Sequence, residues 1–414
     1  MSLKIIHTAD WHLGQTFFGY DRDEEHDAFL FWLRETIARQ QADVLLIAGD
    51  VFDVANPSAA AQRRFFRFLK EVNAQAPHLQ IIIVAGNHDS AARLEAPVPL
   101  LEELNTFVVG IVRKKEEGEI DFDSLFIPLY NKEHRKEAIC LAVPFLRQGD
   151  YPAPEEGKDT YVNGIHRMYR QLYEYAEKYK SNGEAIVAMG HLHATGAELS
   201  DDDRSERVIM GGLESVSADT FGEGLAYTAL GHIHKAQRVG GRENVRYSGS
   251  PLPMSFSETG YCHQVVAVTL SDGELKAIET LPVPRKVDLL VIPKQPVPPV
   301  EVIKALAVLP ASKEGEDISS YPFLEVRVLM TEPDPGFRHR VEEVLADRAV
   351  RLASILPSYP KQKEAEEICP LSYADLQQIA PLDMLRHIFT SKYGGELPEE
   401  LEELFNHVIR EAAL

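Results

Sequence analysis

The chain has 414 residues, of which 44% are hydrophobic, and its 43 Lys and Arg stand against 64 Asp and Glu, a formal net charge of −21. This length exceeds one typical core and predicts two or three domains. The acidic balance argues against a stand-alone, high-affinity nucleic-acid binder. It leaves open a protein whose partner supplies the cationic surface, and composition alone favours a plain acidic cytosolic protein.

Cysteine usage and apolar run lengths indicate the compartment. Cys140, Cys262 and Cys369 are few and scattered, which favours a reducing environment. The apolar runs are strand-sized and too short to span a membrane. Residues 1–6 lead directly into the first motif, so no cleavable signal peptide is expected. We therefore expect a cytoplasmic protein without a membrane anchor.

The first two thirds of the chain predict an α/β fold. Strands are expected at 3–8, 43–48 and 79–85, with helices at about 24–40 and 58–74 and an irregular, proline-containing helix at about 92–104. A helix at 160–180 interrupts a series of shorter strands. These are expected at 123–129, 138–143, 185–190, 207–211, 226–230, near 245–248 and at 263–270. Alternating strands and helices followed by a β-rich half predict a two-sheet sandwich flanked by helices.

The remainder predicts a small α+β cap domain and a helical tail. A proline-rich boundary at 282–299 precedes strands at 287–292, 323–330 and near 350–354, and helices at 300–309 and 335–347. A linker rich in Pro, Lys and Glu follows at 357–370. The tail carries one apolar stripe at helical spacing, formed by Leu401, Leu404, Phe405, Val408 and Ile409. The expected domains are 1–283, 284–358 and 372–414.

Five short motifs place polar side chains where strands are expected to end. They are Asp10-Trp11-His12, Gly49-Asp50, Gly86-Asn87-His88-Asp89, Gly190-His191-Leu192-His193 and Gly231-His232-Ile233-His234. Their carboxylate, amide and imidazole groups, without a thiolate, suit Mn, Fe, Mg or Zn rather than a structural cysteine site.

The order of these motifs resembles that of the calcineurin-like metallophosphoesterases. The details are similar to the SbcD family, nuclease subunits that work with the SMC-like ATPase SbcC. The matching segments are 7–14, 49–53, 86–90, 230–234 and 247–251. The resemblance covers residues 1 to about 285 strongly, whereas the rest of the chain matches only in layout.

The resemblance implies a site for two divalent metal ions, with manganese expected. Asp50 would bridge two ligand groups, which are Asp10, His12 and His234 on the first metal and Asn87, His191 and His232 on the second. His88 is the expected catalytic residue that is not a ligand, acting as general acid or stabilising transition-state charge. Asp89 would orient His88.

Several neighbouring residues leave alternatives open. His193 repeats the position of His234, but a non-ligand is more often expected there. Asp53 is either a group behind the ligands or a helix cap. His7 and His26 are expected to serve packing or to lie at the surface. The segment 247–251 is expected to form a tight turn, with a structural role and a substrate contact equally open.

The resemblance predicts a Mn-dependent DNA nuclease with double-strand 3′–5′ exonuclease and single-strand endonuclease activity. The alternatives are a phosphomonoesterase or cyclic-nucleotide phosphodiesterase, and a non-catalytic scaffold for an SMC-like ATPase. The expected partners are DNA, an SbcC-like ATPase bound through the tail, and a second copy of the chain. Residues that form the dimer surface, or that only cover the sheet, are Phe65, Phe66, Leu100, Leu101 and Leu104.

Overall fold

The structure, a computed structural model, describes residues 2–153, 160–181, 183–194, 197, 215–313, 315–359, 381–393, 397–398, 401–402 and 404–406. The expected strand at 207–211, most of the linker at 357–370, and tail residues Val408 and Ile409 lie outside the described residues. The described part forms two six-stranded sheets flanked by helices and a separate three-stranded sheet. This arrangement confirms the predicted fold class.

The first sheet is largely parallel. Its strands are β1 (Ser2–Thr8), β4 (Val44–Ala48), β5 (Gln80–Val84), β6 (Thr106–Val109), β13 (Gln264–Ser271) and β14 (Glu274–Pro282). They lie in the order β14-β13-β1-β4-β5-β6. The last four strands in this order run parallel, whereas β13 and β14 pair antiparallel. The carboxyl ends of β1, β4 and β5 therefore meet at one edge.

The second sheet repeats this arrangement. Its strands are β7 (Phe126–Tyr130), β8 (Lys136–Ala142), β9 (Ala185–His191), β10 (Tyr227–Gly231), β11 (Gln237–Val239) and β12 (Arg242–Tyr247). They lie in the order β11-β12-β10-β9-β8-β7, and β8, β9, β10 and β12 run parallel. The carboxyl ends of β9 and β10 thus also lie side by side.

Two apolar layers hold the sandwich together. Leu3, Ile5 and Leu46 face the second sheet in a shared core, whereas Ile6 and Leu45 face the helices on the other side. The helices are α1 (Asp23–Gln40), α2 (Ala59–Gln75), α3 (Ala91–Glu95), α4 (Val98–Leu101) and, on the second sheet, α5 (Thr160–Glu177). Central strands buried on both faces explain the continuous apolar runs in the sequence.

The local differences from expectation have simple physical causes. The expected helix at 92–104 is broken into α3, α4 and a 3₁₀ turn, Glu102–Leu104, around Pro97 and Pro99. The expected strand at 123–129 begins only at Phe126, because a 3₁₀ turn occupies Phe122–Leu125. Strand β14 was not predicted. Its outward residues are mostly exposed and polar, so it lacks the apolar run of a central strand.

The cap consists of three parallel strands and two helices. They are β15 (Leu289–Val297), β16 (Phe323–Leu329), β17 (Arg351–Ser358), α6 (Pro299–Ala307) and α7 (Phe337–Leu345). The expected boundary at 282–299 is largely strand, because β15 continues through Pro293 and Pro296. Prolines are tolerated there since β15 is an edge strand. The cap has its own apolar core, which includes Val302, Val326, Val328, Phe337 and Val341.

A small aromatic cluster joins the cap to the sandwich. The hairpin of β2 (Thr16–Phe17) and β3 (Tyr20–Asp21) places Phe17 against Phe323 of β16 and against Phe256, with ring centroids 4.7 and 5.3 Å apart. The Arg351 guanidinium lies 3.9 Å from the Phe323 ring centre. The cap therefore packs directly on the loop that follows β1.

The described tail is helical. Helix α8 spans Pro381–Tyr393, and Arg386 Nε donates to Glu402 at 3.2 Å, which joins two parts of the tail. Leu401 and Leu404 are 43% and 57% exposed. In the part of the chain that the structure describes, no helix combines the length and the apolar character needed to cross a membrane.

Candidate metal centre

The five motifs converge at the edge where β1, β4, β5, β9 and β10 end. The backbone after β1 pairs with that after β4, since the amides of Asp10 and His12 donate to the carbonyl oxygens of Gly49 and Asp50 at 3.0 Å. The His232 amide, just past β10, donates to Asp10 Oδ1 at 2.9 Å. Because parallel strands bring their carboxyl ends to one edge, motifs up to 222 residues apart in sequence meet there.

One side of the site is formed by Asp10, His12 and His234. Each contributes a ligand-type atom, and these atoms lie within 4.8 Å of one another. The rings of His12 and His234 are in edge contact, with centroids 5.3 Å apart. All three side chains are buried. A single cation can therefore contact all of them.

The other side is formed by Asn87, His191 and His232. Asn87 Oδ1 lies 2.9 Å from His191 Nε2 and 3.0 Å from His232 Nδ1. One amide oxygen thus meets two imidazole nitrogens. The three groups direct nitrogen and oxygen atoms to a common point, as ligands of one ion do.

Asp50 lies between these two groups. Its Oδ2 is 3.3 Å from His191 Nε2 and 3.7 Å from His12 Nε2, so the same carboxylate oxygen faces both sides. The other oxygen, Oδ1, accepts a hydrogen bond from the His88 amide at 2.9 Å. The position is the one that a bridging carboxylate requires.

The backbone at the site adopts uncommon conformations. Asp10, His12, Asp50 and His232 have φ angles of 55°, 46°, 49° and 99°. Non-glycine residues rarely occupy this region, and each instance costs about 1–3 kcal/mol. The surrounding sheets hold this geometry, which turns four side chains toward the same edge.

Close packing explains the glycines of the motifs. A Cβ at Gly86 would lie 2.0 Å from Asp50 Oδ1, and a Cβ at Gly231 would lie 1.9 Å from the Ala48 carbonyl oxygen. Neither distance is compatible with a side chain. Glycine is required because the loops that carry the polar residues approach one another at backbone contact.

Hydrogen bonds fix two of the imidazoles. His191 Nδ1 donates to the Ala48 carbonyl oxygen at 2.8 Å, and His234 Nδ1 donates to Glu258 Oε1 at 3.1 Å. In each ring the other nitrogen, Nε2, is left to act as a ligand. This is the usual arrangement behind metal-binding histidines.

Burial and neighbouring charges shift the pKa values of several site residues. Burial would raise the pKa of Asp50, but the imidazoles of His191, His12 and His88 hold that pKa well below its usual range. Burial opposes a charge on His191, yet the carboxylates of Asp50 and Asp10 raise its pKa to about 9. The charges of Asp50 and His191 therefore stabilise each other, whereas burial raises the pKa of Asp10.

The donor set fits a divalent metal. Both ring nitrogens of His12 are buried without a hydrogen-bond partner, although a carboxylate oxygen lies within 4 Å of each. Burying such polar atoms is costly unless they are satisfied. An ion held by Nε2 beside Asp50 would satisfy that nitrogen, while Nδ1 faces the Asp53 carboxylate.

His88 and Asp89 both bond to backbone groups of the motif loops. His88 Nδ1 donates to the carbonyl oxygen of Asp53 at 2.8 Å. The Asp89 carboxylate instead accepts from three backbone amides, those of Val51, Phe52 and Gly86, at 2.9–3.2 Å. Burial and the charge of Asp50 raise the pKa of Asp89 to about 6. Through these contacts Asp89 ties the second and third motif loops together, and its orientation of His88 stays a prediction.

Other sequence candidates have identifiable positions. Asp53 Oδ1 lies 3.4 Å from His12 Nδ1, so this residue stands behind a ligand, and Ser58 rather than Asp53 caps α2. His193 belongs to none of the three ligand groups found among the described residues. His7 and His26 are buried rather than at the surface.

The segment 247–251 supports the backbone around two of the histidines. The Tyr247 hydroxyl donates to the Leu192 carbonyl oxygen and accepts from the Ala194 amide, each at 2.8 Å. The Ser250 amide donates to the His234 carbonyl oxygen at 3.1 Å. These contacts are structural.

Glu258 was missed at the sequence level. It is fully buried and bonded to His234, but it lies 24 residues farther along the chain. It belongs to no motif, and no local pattern marks it. Only the folded chain brings it next to His234, an expected ligand.

Comparison with known proteins defines the class and then the family. A model described as calcineurin-like phosphoesterase matches residues 3–236, more than half of the chain. The fold and the paired ligand groups are those of a metal-dependent phosphoesterase. A second model, described as type 5 capsule protein repressor C-terminal domain, matches residues 285–393.

Three relatives are named as the SbcD component of the nuclease SbcCD. The Rhodobacter capsulatus protein is 38% identical over 367 residues, which cover 87% of this chain and 88% of the relative. The Escherichia coli K12 protein is 38% identical over 68% of each chain, and the Bacillus subtilis protein is 27% identical over 97% of each. The chain belongs to the SbcD family of the calcineurin-like phosphoesterases.

Proposed function

We propose that this chain is a Mn-dependent DNA nuclease, with double-strand 3′–5′ exonuclease and single-strand endonuclease activity, that works with an SbcC-like ATPase. The observation that carries the proposal is the convergence of two ligand groups on Asp50, which faces His191 at 3.3 Å and His12 at 3.7 Å. The relatives, each named as a component of the nuclease SbcCD, support the substrate class.

The proposed ligand sets follow the two sides of the site. Asp10, His12 and His234 would hold one ion and Asn87, His191 and His232 the other, with Asp50 shared. Two divalent ions in such a site neutralise phosphate charge and activate water near neutral pH. The oxygen and nitrogen donors suit manganese, although other divalent ions accept the same set.

His88 is proposed to contact the reacting phosphodiester. Its ring is in edge contact with His12, with centroids 4.9 Å apart, and its Nδ1–H is held by Asp53. This leaves Nε2 as the nitrogen able to hold or release a proton. A protonated Nε2 donates a proton to the leaving oxygen, a contribution of about 10²–10⁴-fold.

The first alternative keeps metal-dependent hydrolysis and changes the substrate. The second removes catalysis. A phosphomonoesterase or cyclic-nucleotide phosphodiesterase has no need of the cap that packs beside the β1 loop through Phe17 and Phe323. A non-catalytic scaffold would be indicated by missing ligands, and all seven proposed ligands are present and together. Both features favour the nuclease.

We also propose three functional units, at 1–283, 284–358 and 372–414. The separate apolar core of the cap supports the second unit. Exposure of Leu401 and Leu404 supports the tail as the docking element for the ATPase. A cytoplasmic location is proposed from the few, scattered cysteines.

The burial of the five residues proposed for the dimer surface limits where a second copy of the chain can bind. Phe65 and Leu101 belong to the core of the sandwich, and Phe66 and Leu104 are partly buried against it. Leu100, on α4, is 74% exposed. A pairing surface on these helices would therefore centre on Leu100, and Leu100→Asp should abolish any dimer seen by light scattering.

The deciding experiment is a nuclease assay on hairpin, blunt duplex and single-stranded DNA. It should be run with Mn, Mg, Zn and Fe, and with and without the ATPase partner. We expect cleavage that is strongest with Mn. Cleavage of phosphomonoesters or cyclic nucleotides with no cleavage of DNA would overturn the proposal in favour of the first alternative.

A further inference from the structure

The carboxylate of Glu258 is buried directly behind the proposed metal ligand His234. Glu258 Oε1 accepts the hydrogen bond from His234 Nδ1 at 3.1 Å, and Oε2 accepts from the Met254 amide at 2.9 Å. The residue is 0% exposed. Both oxygens are therefore used, and neither can turn toward water.

The turn that carries Glu258 is itself held in place. Residues Phe256–Gly260 form a 3₁₀ turn, and the Phe256 ring packs on Phe17 of the hairpin, 5.3 Å between centroids. Phe256 belongs to the same apolar cluster as Phe323 and Leu289 of the cap. The position of Glu258 is thus fixed by the contact between sandwich and cap.

We propose that Glu258 is a positioning residue that sets the tautomer and the orientation of His234 toward the metal. The inference rests on His234 being a ligand, as proposed above. With Nδ1–H donated to Glu258, Nε2 is the nitrogen that would bind a metal, and the His234 ring lies beside that of His12, 5.3 Å between centroids. A carboxylate behind the ring also increases the basicity of the imidazole, which strengthens the bond to a cation.

The contacts of Glu258 single out His234 as its bonded ionisable partner among the described residues. A carboxylate removed from water is costly unless a partner compensates. Here the partners are one backbone amide and His234, and no Lys or Arg is bonded to it among the described residues. Its charge is directed at an imidazole that itself faces the metal centre.

The test measures Mn²⁺ binding to the full chain by calorimetry, without reference to activity. Glu258→Ala should raise the Kd of one Mn²⁺ by about 10–100-fold and leave the second unchanged. Glu258→Gln, which keeps an oxygen for the Nδ1–H, should lose less. Unfolding curves for both variants establish that they are folded.

Two further variants distinguish failure of the ligand assignment from failure of the proposed role of Glu258. Glu184→Gln alters another buried carboxylate, bonded to Lys136 at 3.0 Å, and controls for loss of a buried charge. If His234→Ala keeps wild-type affinity at both sites, the ligand assignment itself is wrong. If His234→Ala weakens one site but both Glu258 variants bind like wild type, the positioning role of Glu258 is refuted.

Discussion

The metal centre and the cap are built on opposite principles. At the metal centre, buried polar side chains lie on loops whose φ angles reach 46–99° at four positions. In the cap, an apolar core of ordinary strands and helices holds three parallel strands together. The first region depends on geometry that few residue types can adopt. The cap depends on the total side-chain volume of its core and on the spacing of its apolar residues, which many sequences satisfy.

The difference predicts how each region responds to substitution. Changes at the metal centre should affect chemistry or folding sharply, even when they add or remove few atoms. Comparable changes in the cap or tail should be tolerated. Each of the following variants tests one side of this contrast.

The largest effects are expected at His88 and Asp50, where one substitution should reduce turnover and the other should reduce metal content. His88→Ala should retain two metals and lose about 10²–10⁴-fold in turnover, because it removes a transition-state contact. Asp50→Asn should instead empty at least one site, since it weakens the shared ligand. Elemental analysis beside a DNA cleavage assay measures both quantities.

His134→Ala is the matched control for this pair, since His134 is an exposed histidine in the turn before β8, away from the ligand edge. Loss of metal together with activity in His88→Ala would place His88 among the ligands. The structure allows that outcome, because ligand-type atoms of His12, Asp50 and His88 lie within 4.8 Å of one another.

The next effect concerns a single methyl group. Gly231→Ala should destabilise the fold by about 3 kcal/mol or more, because its Cβ would lie 1.9 Å from a backbone oxygen. A Cβ at Gly336, the N-cap of α7, would lie 3.3 Å from the flexible end of Arg340 and 3.6 Å from Asp334 Oδ1, so Gly336→Ala should cost about 1 kcal/mol or less. Urea unfolding of both variants gives the comparison, and equal losses would contradict it.

The glycines also show why the site was predictable from sequence. Gly49, Gly86 and Gly231 are imposed by close approach, and the ligands by chemistry, so both appear as short motifs. The cap was predicted only in layout, because apolar periodicity sets element type but not ends. Edge position, which allows Pro293 and Pro296 inside β15, is a property of the assembled sheet. The support from Glu258 likewise exists only after folding.

An effect of intermediate size on the unfolding free energy is expected when the pH is lowered. Burial lowers the pKa of His7, which is bonded to the Tyr227 hydroxyl at 2.9 Å, to about 3. The unfolded chain binds a proton there below about pH 6.5, whereas the folded chain does not. The contribution of His7 to the unfolding free energy is therefore fully present above pH 6.5 and falls as the pH drops toward 3, by at most about 1.4 kcal/mol per unit. The buried His26, whose pKa is also lowered to about 3, adds a dependence of the same sign.

His7→Gln should flatten this dependence. Urea unfolding at pH 7, 6 and 5 with excess EDTA measures the slope while excluding effects of metal release. His339→Gln, on an exposed residue of the cap, controls for the loss of one imidazole. A slope in His7→Gln equal to that of the wild type would show that His7 is not a buried neutral group.

The smallest effect on the fold is expected at the tail. Deleting 372–414 should leave the melting temperature and the metal-dependent cleavage of single-stranded DNA close to wild type. Arg386 of the tail bonds to Asp383 and Glu402, also in the tail, and Leu401 and Leu404 are exposed. Co-purification with the ATPase and ATP-stimulated processing should both be lost, because an exposed apolar helix face suits a groove or coiled coil on a partner.

Leu404→Asp, a single change on the same face, should weaken co-purification without altering cleavage. Retained co-purification of the truncated chain, or its failure to fold, would instead assign the apolar stripe to this chain's own core.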